Sequence, residues 1–256
     1  MLRAAIHSKP LLPMKKYRTF ATCAGLLTAA ILGAATPVDL AKIGMNQPLD
    51  PALRPALADV PDRAGLPRVL LIGDSISIGY TLPVRARLAG RANVHRPGEN
   101  AGPTVLGIER LDAWLGAGPW AVIHFNFGLH DLKYLDEQGN YVSPARSRPV
   151  ATPEQYANNL RVIVARLRRT GARLIFATTT PVPAGTLGRL EGGEQAYNAV
   201  ALQVMRENGV AVDDLGAYAR AHQKEIQLAH NVHYTSAGYE ALADLVAASI
   251  GKSLNP

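Results

Sequence analysis

The chain has 256 residues, of which 48% are hydrophobic, which is enough for one α/β domain with a sizeable core. Its formal net charge of +7 comes from 27 basic and 20 acidic residues, but five of the basic residues and no acidic one fall within residues 1–35. Without that segment, 22 basic residues stand against 20 acidic ones, so the composition does not indicate binding to nucleic acid or to anionic lipid.

The first 35 residues have the parts of a secretory signal peptide. Basic residues come first, an apolar and alanine-rich stretch follows over residues 20–31, and small residues end it at 33–35. The stretch is short for a membrane span, so we expect cleavage and a periplasmic or secreted protein without stable membrane insertion. An uncleaved anchor helix is the alternative, and Met14 is a second candidate start. The single cysteine, Cys23, lies here, so the mature chain is expected to have no disulfide.

The remaining chain divides into a proline-rich, irregular extension over residues 36–67 and a domain over residues 68–256. In that domain predicted strands and helices alternate, which indicates a parallel sheet covered by helices on both faces. Right-handed crossovers then bring the loops after the strands to one edge of the sheet. The predicted strands are 69–72, 93–95, 121–127, 174–178 and 210–212, and the predicted helices are 78–89, 104–116, 154–169, 190–208 and 236–249.

A serine stands at the first predicted strand-to-helix turn. Ser75 lies in Gly73-Asp74-Ser75, directly after the apolar run 69–72. Such a turn exposes the hydroxyl at the carboxyl edge of the sheet, near the N–H groups that open the next helix. From these residues alone, Ser75 is equally a nucleophile or an N-cap. His233, on a predicted loop before the last helix, is a candidate base for it.

Four short blocks, taken in order, resemble those that define the SGNH, or GDSL-type, hydrolases. They are Gly73-Asp74-Ser75, Asn100-Ala101-Gly102-Pro103-Thr104, Gly128-Leu129-His130-Asp131 and the region around His233. The resemblance covers roughly residues 68–250 and implies a three-layer α/β/α fold with a flavodoxin-like parallel sheet. It also implies that Ser75 is the nucleophile and His233 the base. The N–H groups of Ser75 and Gly102 and the side chain of His130 would hold the oxyanion.

Two positions differ from the family pattern. His130 stands where the third block normally has Asn, although an imidazole N–H can still donate to an oxyanion. His230 stands where the last block has Asp, and neither it nor Asn231 can supply the usual anionic partner of His233. We therefore predict a Ser–His dyad whose ring is held by a backbone carbonyl or by Asn231. Asp74 is the other candidate supporting residue.

Several features remain open from the residues alone. Asp213 and Asp214 follow a predicted strand and could complete a hidden triad, although capping of the helix that starts near Leu215 is favoured. The long connection 132–151 either forms one wall of the substrate cleft or is a mobile surface insertion. The sequence contains no zinc motif, no P-loop and no Gly-x-Gly-x-x-Gly after a strand, so neither a metal nor a cofactor is expected.

The sequence therefore predicts a periplasmic or secreted serine ester hydrolase whose first-choice reaction is removal of short acyl groups, such as acetyl, from a carbohydrate. Secretion and the small aromatic share favour short acyl groups on a polar alcohol. The family resemblance also allows a thioesterase or a lysophospholipase. The missing acidic partner leaves a second class open, a catalytically silent carbohydrate-binding protein. The expected partner is a small ester or an acylated polysaccharide, not nucleic acid.

Overall fold

The computed structural model describes residue 1 and residues 37–45 and 50–255. The predicted signal peptide lies outside these residues apart from Met1, and so do residues 46–49 of the proline-rich extension. Among the helices of the described residues, none is both long enough and apolar enough to cross a membrane.

Five parallel strands form one sheet in the order β2-β1-β3-β4-β5. The three strands at its centre are buried over most of their length and apolar except at Arg68, His124 and Arg173, as strands covered on both faces should be. The predicted parallel sheet is confirmed, and each predicted strand matches an observed one to within two residues. The strands are β1 Arg68–Ile72, β2 Asn93–His95, β3 Val122–Phe125, β4 Arg173–Ala177 and β5 Ala211–Asp213.

Helices cover the sheet and complete the predicted three-layer α/β/α arrangement. The first and last long helices, α2 and α8, pack against each other, while α4 lies between α3 and α5 in a second group. The described residues contain the α-helices α1 Arg54–Leu57, α2 Ser75–Arg87, α3 Thr104–Leu115, α4 Pro153–Arg168, α5 Glu194–Asn208, α6 Leu215–Ala221, α7 Gln223–Ile226 and α8 Ser236–Leu254, with 3-10 turns at Pro51–Leu53 and Pro144–Arg146.

The helices differ from the expected ones at four places, one of which is the last helix, which ends at Leu254 instead of residue 249. The first long helix begins at Ser75 instead of residue 78, because Asp74 caps it. The helix expected from residue 190 begins at Glu194, since residues 178–193 form a connection. The extension contains α1, which its prolines do not prevent because proline is tolerated in the first turn of a helix.

Helix α4 begins with a capping box and packs between α3 and α5. Thr152 accepts from the backbone N–H of Gln155, and the Gln155 side chain accepts from the backbone N–H of Thr152, which together make a capping box. The buried face of α4 includes Tyr156, whose hydroxyl donates to the carbonyl oxygen of Phe127 at 2.8 Å. The start of α4 is therefore linked to the loop that follows β3.

We predict that Thr152→Ala lowers the free energy of unfolding by about 1 kcal/mol, because it removes the capping acceptor. A change of that size lowers the melting temperature of a domain this large by about 2–4 °C, measurable by calorimetry. Thr152→Ser keeps the hydroxyl and is the matched control. Equal melting temperatures for the alanine and serine variants would contradict a stabilising cap.

Candidate active site

The turn after β1 presents Ser75 with its hydroxyl free of any capping role. Asp74 is the N-cap of α2, since its Oδ1 accepts from the N–H of Ile76 at 3.0 Å. Ser75 is the first helical residue, so its N–H is one of those that a helix leaves without an internal acceptor. Gly73 allows the tight approach, because a Cβ there would lie 2.6 Å from the Cβ of Ser77.

Arg96, which directly follows β2, holds this turn in place through hydrogen bonds. Its side chain is 6% exposed and donates to the carbonyl oxygen of Gly73 and to the hydroxyls of Ser77 and Thr81. Burial lowers the pKa of the guanidinium to about 10, which leaves it charged at neutral pH. No sequence motif identifies Arg96, although its place at the carboxyl end of a strand is a usable signal.

The structure brings Ser75 and His233 into direct contact. Ser75 Oγ lies 2.9 Å from His233 Nε2. On the other side of the ring, His233 Nδ1 lies 2.8 Å from Asn231 Oδ1. The sequence predicts that either a backbone carbonyl or Asn231 orients the ring, and in the structure the Asn231 side chain occupies that position.

The backbone of His233 determines the proton positions in this chain of contacts. Its N–H, which can only donate, lies 3.1 Å from the same Asn231 Oδ1, so that atom must be the amide oxygen and an acceptor. The ring nitrogen facing it must then carry a hydrogen. Nε2 is left with a lone pair toward Ser75, which is the tautomer that a general base for serine requires.

No carboxylate of the described residues pairs with the His233 ring. Asp213 meets His124 instead, Oδ2 to Nε2 at 3.0 Å. Asp214 caps α6 by accepting from the N–H of Ala217 at 3.1 Å, as favoured from the sequence. The hidden triad considered for these two residues is therefore wrong.

The remaining supporting candidates lie away from the ring contacts. His230, at the position where the family has Asp, adopts a left-handed backbone with φ of 55°, and its Nδ1 lies 2.8 Å from the carbonyl oxygen of Ala184. At the start of α2, Oδ1 of Asp74 caps the helix, and Oδ2 is buried without a hydrogen-bond partner. Burial raises the pKa of Asp74, an effect partly offset by the N–H of Ile76.

The loop after β3 places His130 on the same cavity as Ser75 and His233. Gly128 has a φ of +142° and comes so close to Thr179 that a Cβ would overlap its hydroxyl. Asp131 is wholly buried and accepts from both the N–H and the hydroxyl of Thr104, which ties this loop to the start of α3. The third block is therefore fixed by the close packing of Gly128 against Thr179 and by the hydrogen bonds that Asp131 accepts from Thr104.

His130 is held in the neutral form. Burial lowers its pKa well below the usual value, and the nearby charges of Lys133 and Arg189 lower it further. Its Nδ1 is buried without a partner, so Nε2 is the ring nitrogen left to meet a substrate. With a hydrogen on Nε2, the ring can donate to a developing oxyanion without carrying a full charge.

Gly102 departs from its expected role. Its φ of +59° fits a glycine, but its N–H donates to Asn100 Oδ1 at 2.9 Å. An acyl oxygen would have to displace the Asn100 side chain before it could use this amide. Asn100 itself lines the cavity, and its spacing two residues ahead of Gly102 is the local pattern of an Asx turn.

The cavity has a volume of about 620 Å³ and combines catalytic, charged and apolar residues. Four of its eight Leu, Met and Val side chains come from the proline-rich extension, namely Leu40, Met45, Leu53 and Leu57. The long connection 132–151 contributes Lys133 and Tyr141, so of the two interpretations left open for it, a wall of the cleft is the one the structure shows. The connection 178–193 adds Thr186, Leu187 and Arg189, none of which belongs to a sequence motif.

Electrostatics keep His233 unprotonated. Burial lowers its pKa below the usual 6.5; Arg189 and Lys133 lower it further, while Asp50 raises it. At neutral pH the ring is therefore ready to accept the proton of Ser75. Without a carboxylate on Nδ1, the imidazolium that forms during the reaction has only the dipole of an amide to stabilise it.

Comparison with known proteins places the chain in a family. The model of the GDSL-like lipase/acylhydrolase family matches residues 71–241, which contain all four blocks. No curated protein sequence matches the chain. The chain belongs to the GDSL-like lipase/acylhydrolase family and is a carboxylic ester hydrolase.

Solved structures show the same fold at low sequence identity. A lipase/acylhydrolase from Enterococcus faecalis is 20% identical with a TM-score of 0.61, covering 75% of this chain and 98% of its own. An acetylxylan esterase from Geobacillus stearothermophilus is 17% identical with a TM-score of 0.57, covering 74% and 94%. The acetyl xylan esterase AlAXEase is 13% identical with a TM-score of 0.58, covering 72% and 99%.

We predict that Asn231→Asp moves the acid limb of the kcat/KM profile to higher pH. The wild-type limb should lie below pH 6.5, because His233 must be neutral to act as base and its pKa is lowered. A carboxylate on Nδ1 stabilises the imidazolium and raises that pKa. The measurement is kcat/KM for p-nitrophenyl acetate over roughly two pH units on either side of the usual histidine pKa.

Asn231→Ala is the companion variant. It removes one hydrogen bond that orients the ring, so the plateau of kcat/KM should fall about tenfold with no upward shift of the acid limb. If Asn231→Ala keeps the plateau value of kcat/KM that the wild type has, the ring of His233 does not need this residue.

Proposed function

We propose that the protein is a periplasmic or secreted serine esterase that removes short acyl groups, such as acetyl, from a carbohydrate. The observation that carries this proposal is the continuous contact Ser75 Oγ to His233 Nε2 to His233 Nδ1 to Asn231 Oδ1, open to a single cavity. Such an arrangement favours acyl transfer over a purely binding role, since a nucleophile, its base and an orienting group are in line.

Acylation begins with attack of Ser75 Oγ on the ester carbonyl carbon, while Nε2 of His233 takes the hydroxyl proton. The carbonyl oxygen becomes an oxyanion next to the N–H of Ser75 at the start of α2 and to the imidazole of His130. The bond to the alcohol oxygen then breaks, and His233 returns its proton to that oxygen. The alcohol leaves and the acyl group remains on Ser75.

Deacylation repeats these steps with water as the nucleophile. Nε2 of His233 takes a proton from the water as it attacks the acyl carbon, and the same oxyanion contacts are used again. Collapse of the second tetrahedral intermediate returns the proton to Ser75 Oγ and releases the carboxylic acid. Asn231 keeps the ring in one tautomer through both halves of the cycle.

The substrate class is supported by the character of the cavity. Polar and charged side chains line it alongside leucines, which suits a hydroxyl-rich alcohol better than a long acyl chain. Two of the similar structures are acetyl xylan esterases, which agrees with deacetylation of a polysaccharide. The basic and apolar pattern of residues 1–35 supports export of the enzyme to where such polymers lie.

We predict that Ser75→Ala lowers turnover of p-nitrophenyl acetate by roughly a thousandfold or more, because the nucleophile is lost. A serine-reactive fluorophosphonate should label the wild-type protein at Ser75, as read by peptide mass spectrometry, and should leave Ser75→Ala unlabelled. Ser236→Ala, an exposed serine at the start of α8 outside the cavity lining, is the matched control. Full turnover in Ser75→Ala would remove this residue from the mechanism.

A separate prediction concerns His130 as oxyanion donor. His130→Asn supplies an amide N–H in the same place and should keep substantial turnover. His130→Ala should lose about a hundredfold to a thousandfold in kcat, the usual cost of one such donor. Melting temperatures show whether both variants fold. Equal kcat in wild type, His130→Asn and His130→Ala would mean that the imidazole does not touch the reacting oxygen.

A further inference from the structure

Two cationic side chains line the cavity that holds Ser75 and His233. Lys133, in the connection after β3, is 2% exposed, and Arg189, in the connection after β4, is partly buried. In residues 37–45 and 50–255, neither forms an ion pair with a carboxylate. The undescribed segments 2–36 and 46–49 contain no Asp or Glu in their sequence.

The partners that hold these two cations are uncharged. Lys133 Nζ donates to the carbonyl oxygen of Gly44 at 3.3 Å, and Arg189 Nε donates to that of Leu129 at 3.0 Å. Both also face Tyr141, with Nζ and the guanidinium carbon 5.4 Å and 5.5 Å from its ring centroid. These contacts fix the direction of each side chain but do not balance its charge.

The two carboxylates on the cavity wall accept from neutral donors, and among the described residues neither forms an ion pair with Lys133 or Arg189. Asp50 Oδ1 accepts from the N–H of Ala52 at 2.9 Å, and Glu99 Oε1 accepts from the indole N–H of Trp114 at 2.7 Å. The environment of Lys133 disfavours its charged form. Burial lowers its pKa to about 7; repulsion from Arg189 contributes to this decrease, and Asp74 partly offsets it. A pair of poorly solvated like charges in a binding cavity is stabilised when an anion binds between them.

We propose that Lys133 and Arg189 bind a negatively charged group of the substrate, so that the ester cleaved at Ser75 belongs to an anionic carbohydrate. This rests on the proposed function and specifies its substrate class. A sugar carboxylate and a sugar sulfate share the relevant chemistry, since both offer oxygens to a planar guanidinium and to an ammonium. Tyr141, which both cations contact, also lines the cavity and adds an aromatic side chain beside the proposed anion site.

The test compares three methyl glycosides that carry one acetyl group at the same hydroxyl: the glucoside, the glucuronoside and the glucoside 6-sulfate. Measurements at about pH 6 keep the Lys133 side chain charged. We expect kcat/KM to be about tenfold to hundredfold higher for one or both anionic glycosides than for the neutral one, mainly through KM. Preference for the glucuronoside alone identifies a carboxylate, and preference for the sulfate alone identifies a sulfate.

Variants then connect the preference to the two residues. Lys133→Met keeps the length of the side chain, and Arg189→Gln keeps a hydrogen-bond donor, but both remove the charge. Each should abolish most of the anionic preference, which is the ratio of kcat/KM for an anionic glycoside to kcat/KM for the neutral one. The lost charge also changes the pKa of His233, but that change affects both glycosides alike and cancels in the ratio. Arg146→Gln is the matched control, because Arg146 is exposed on the same connection as Lys133 and does not line the cavity.

Wild-type enzyme provides a readout that no folding defect can disturb. Unacetylated methyl glucuronoside or methyl glucoside 6-sulfate should inhibit p-nitrophenyl acetate hydrolysis competitively, more strongly than methyl glucoside, and the difference should shrink at high salt. The proposal is overturned if neither anion inhibits better than the neutral glycoside. It is overturned equally if a preference exists but persists in both cavity variants. Hydrolysis of p-nitrophenyl acetate with no turnover of any acetylated glycoside would instead reject the carbohydrate ester, and the inhibition arm would still decide the anion site.

Discussion

The carboxyl ends of parallel strands determine where the chemistry of this protein takes place. Because every strand of the sheet runs the same way, the turns after β1, β2 and β3 all open on one edge. Ser75, Asn100 and His130 reach the cavity from those three turns. His233 arrives from the loop before α8, which packs against α2 and so returns the end of the chain to the nucleophile. Long-range hydrogen bonds, such as those from Thr104 to Asp131, then hold neighbouring turns in fixed relation.

The site shows a consistent electrostatic balance that differs from a carboxylate triad. An amide holds His233 where an anion would stand, while Lys133 and Arg189 add positive charge to the same cavity. Both features disfavour a charged imidazole in the resting enzyme and keep the base neutral. The same features leave the protein less able to stabilise the imidazolium that forms during the reaction. An anionic substrate would itself supply part of that stabilisation, since its charge would offset the two cations.

Local patterns in the sequence predict much of this arrangement. Apolar runs bounded by glycine identify the strands, and the four ordered blocks identify Ser75, His130 and His233. The contact between His233 and Asn231 was among the predicted alternatives because it spans only two residues. Arg189 could not be identified in this way, since it reaches the cavity through the irregular connection after β4 and belongs to no motif. Likewise, only the folded chain shows that Asp213 meets His124 across the sheet.

The proline-rich extension forms a part of the cavity that the family domain does not contain. Val38 donates its N–H to Glu109 on α3 at 2.5 Å, and the carbonyl oxygen of Gly44 receives the ammonium of Lys133. The same cavity as Ser75 is lined by four residues that lie outside the family match at 71–241, namely Leu40, Met45, Leu53 and Leu57. The bond-breaking residues and much of the apolar wall are thus encoded in separate stretches of the chain. A recombinant chain that began at Arg68 would keep all five strands, the reactive serine and the reactive histidine, but it would lose this part of the cavity wall.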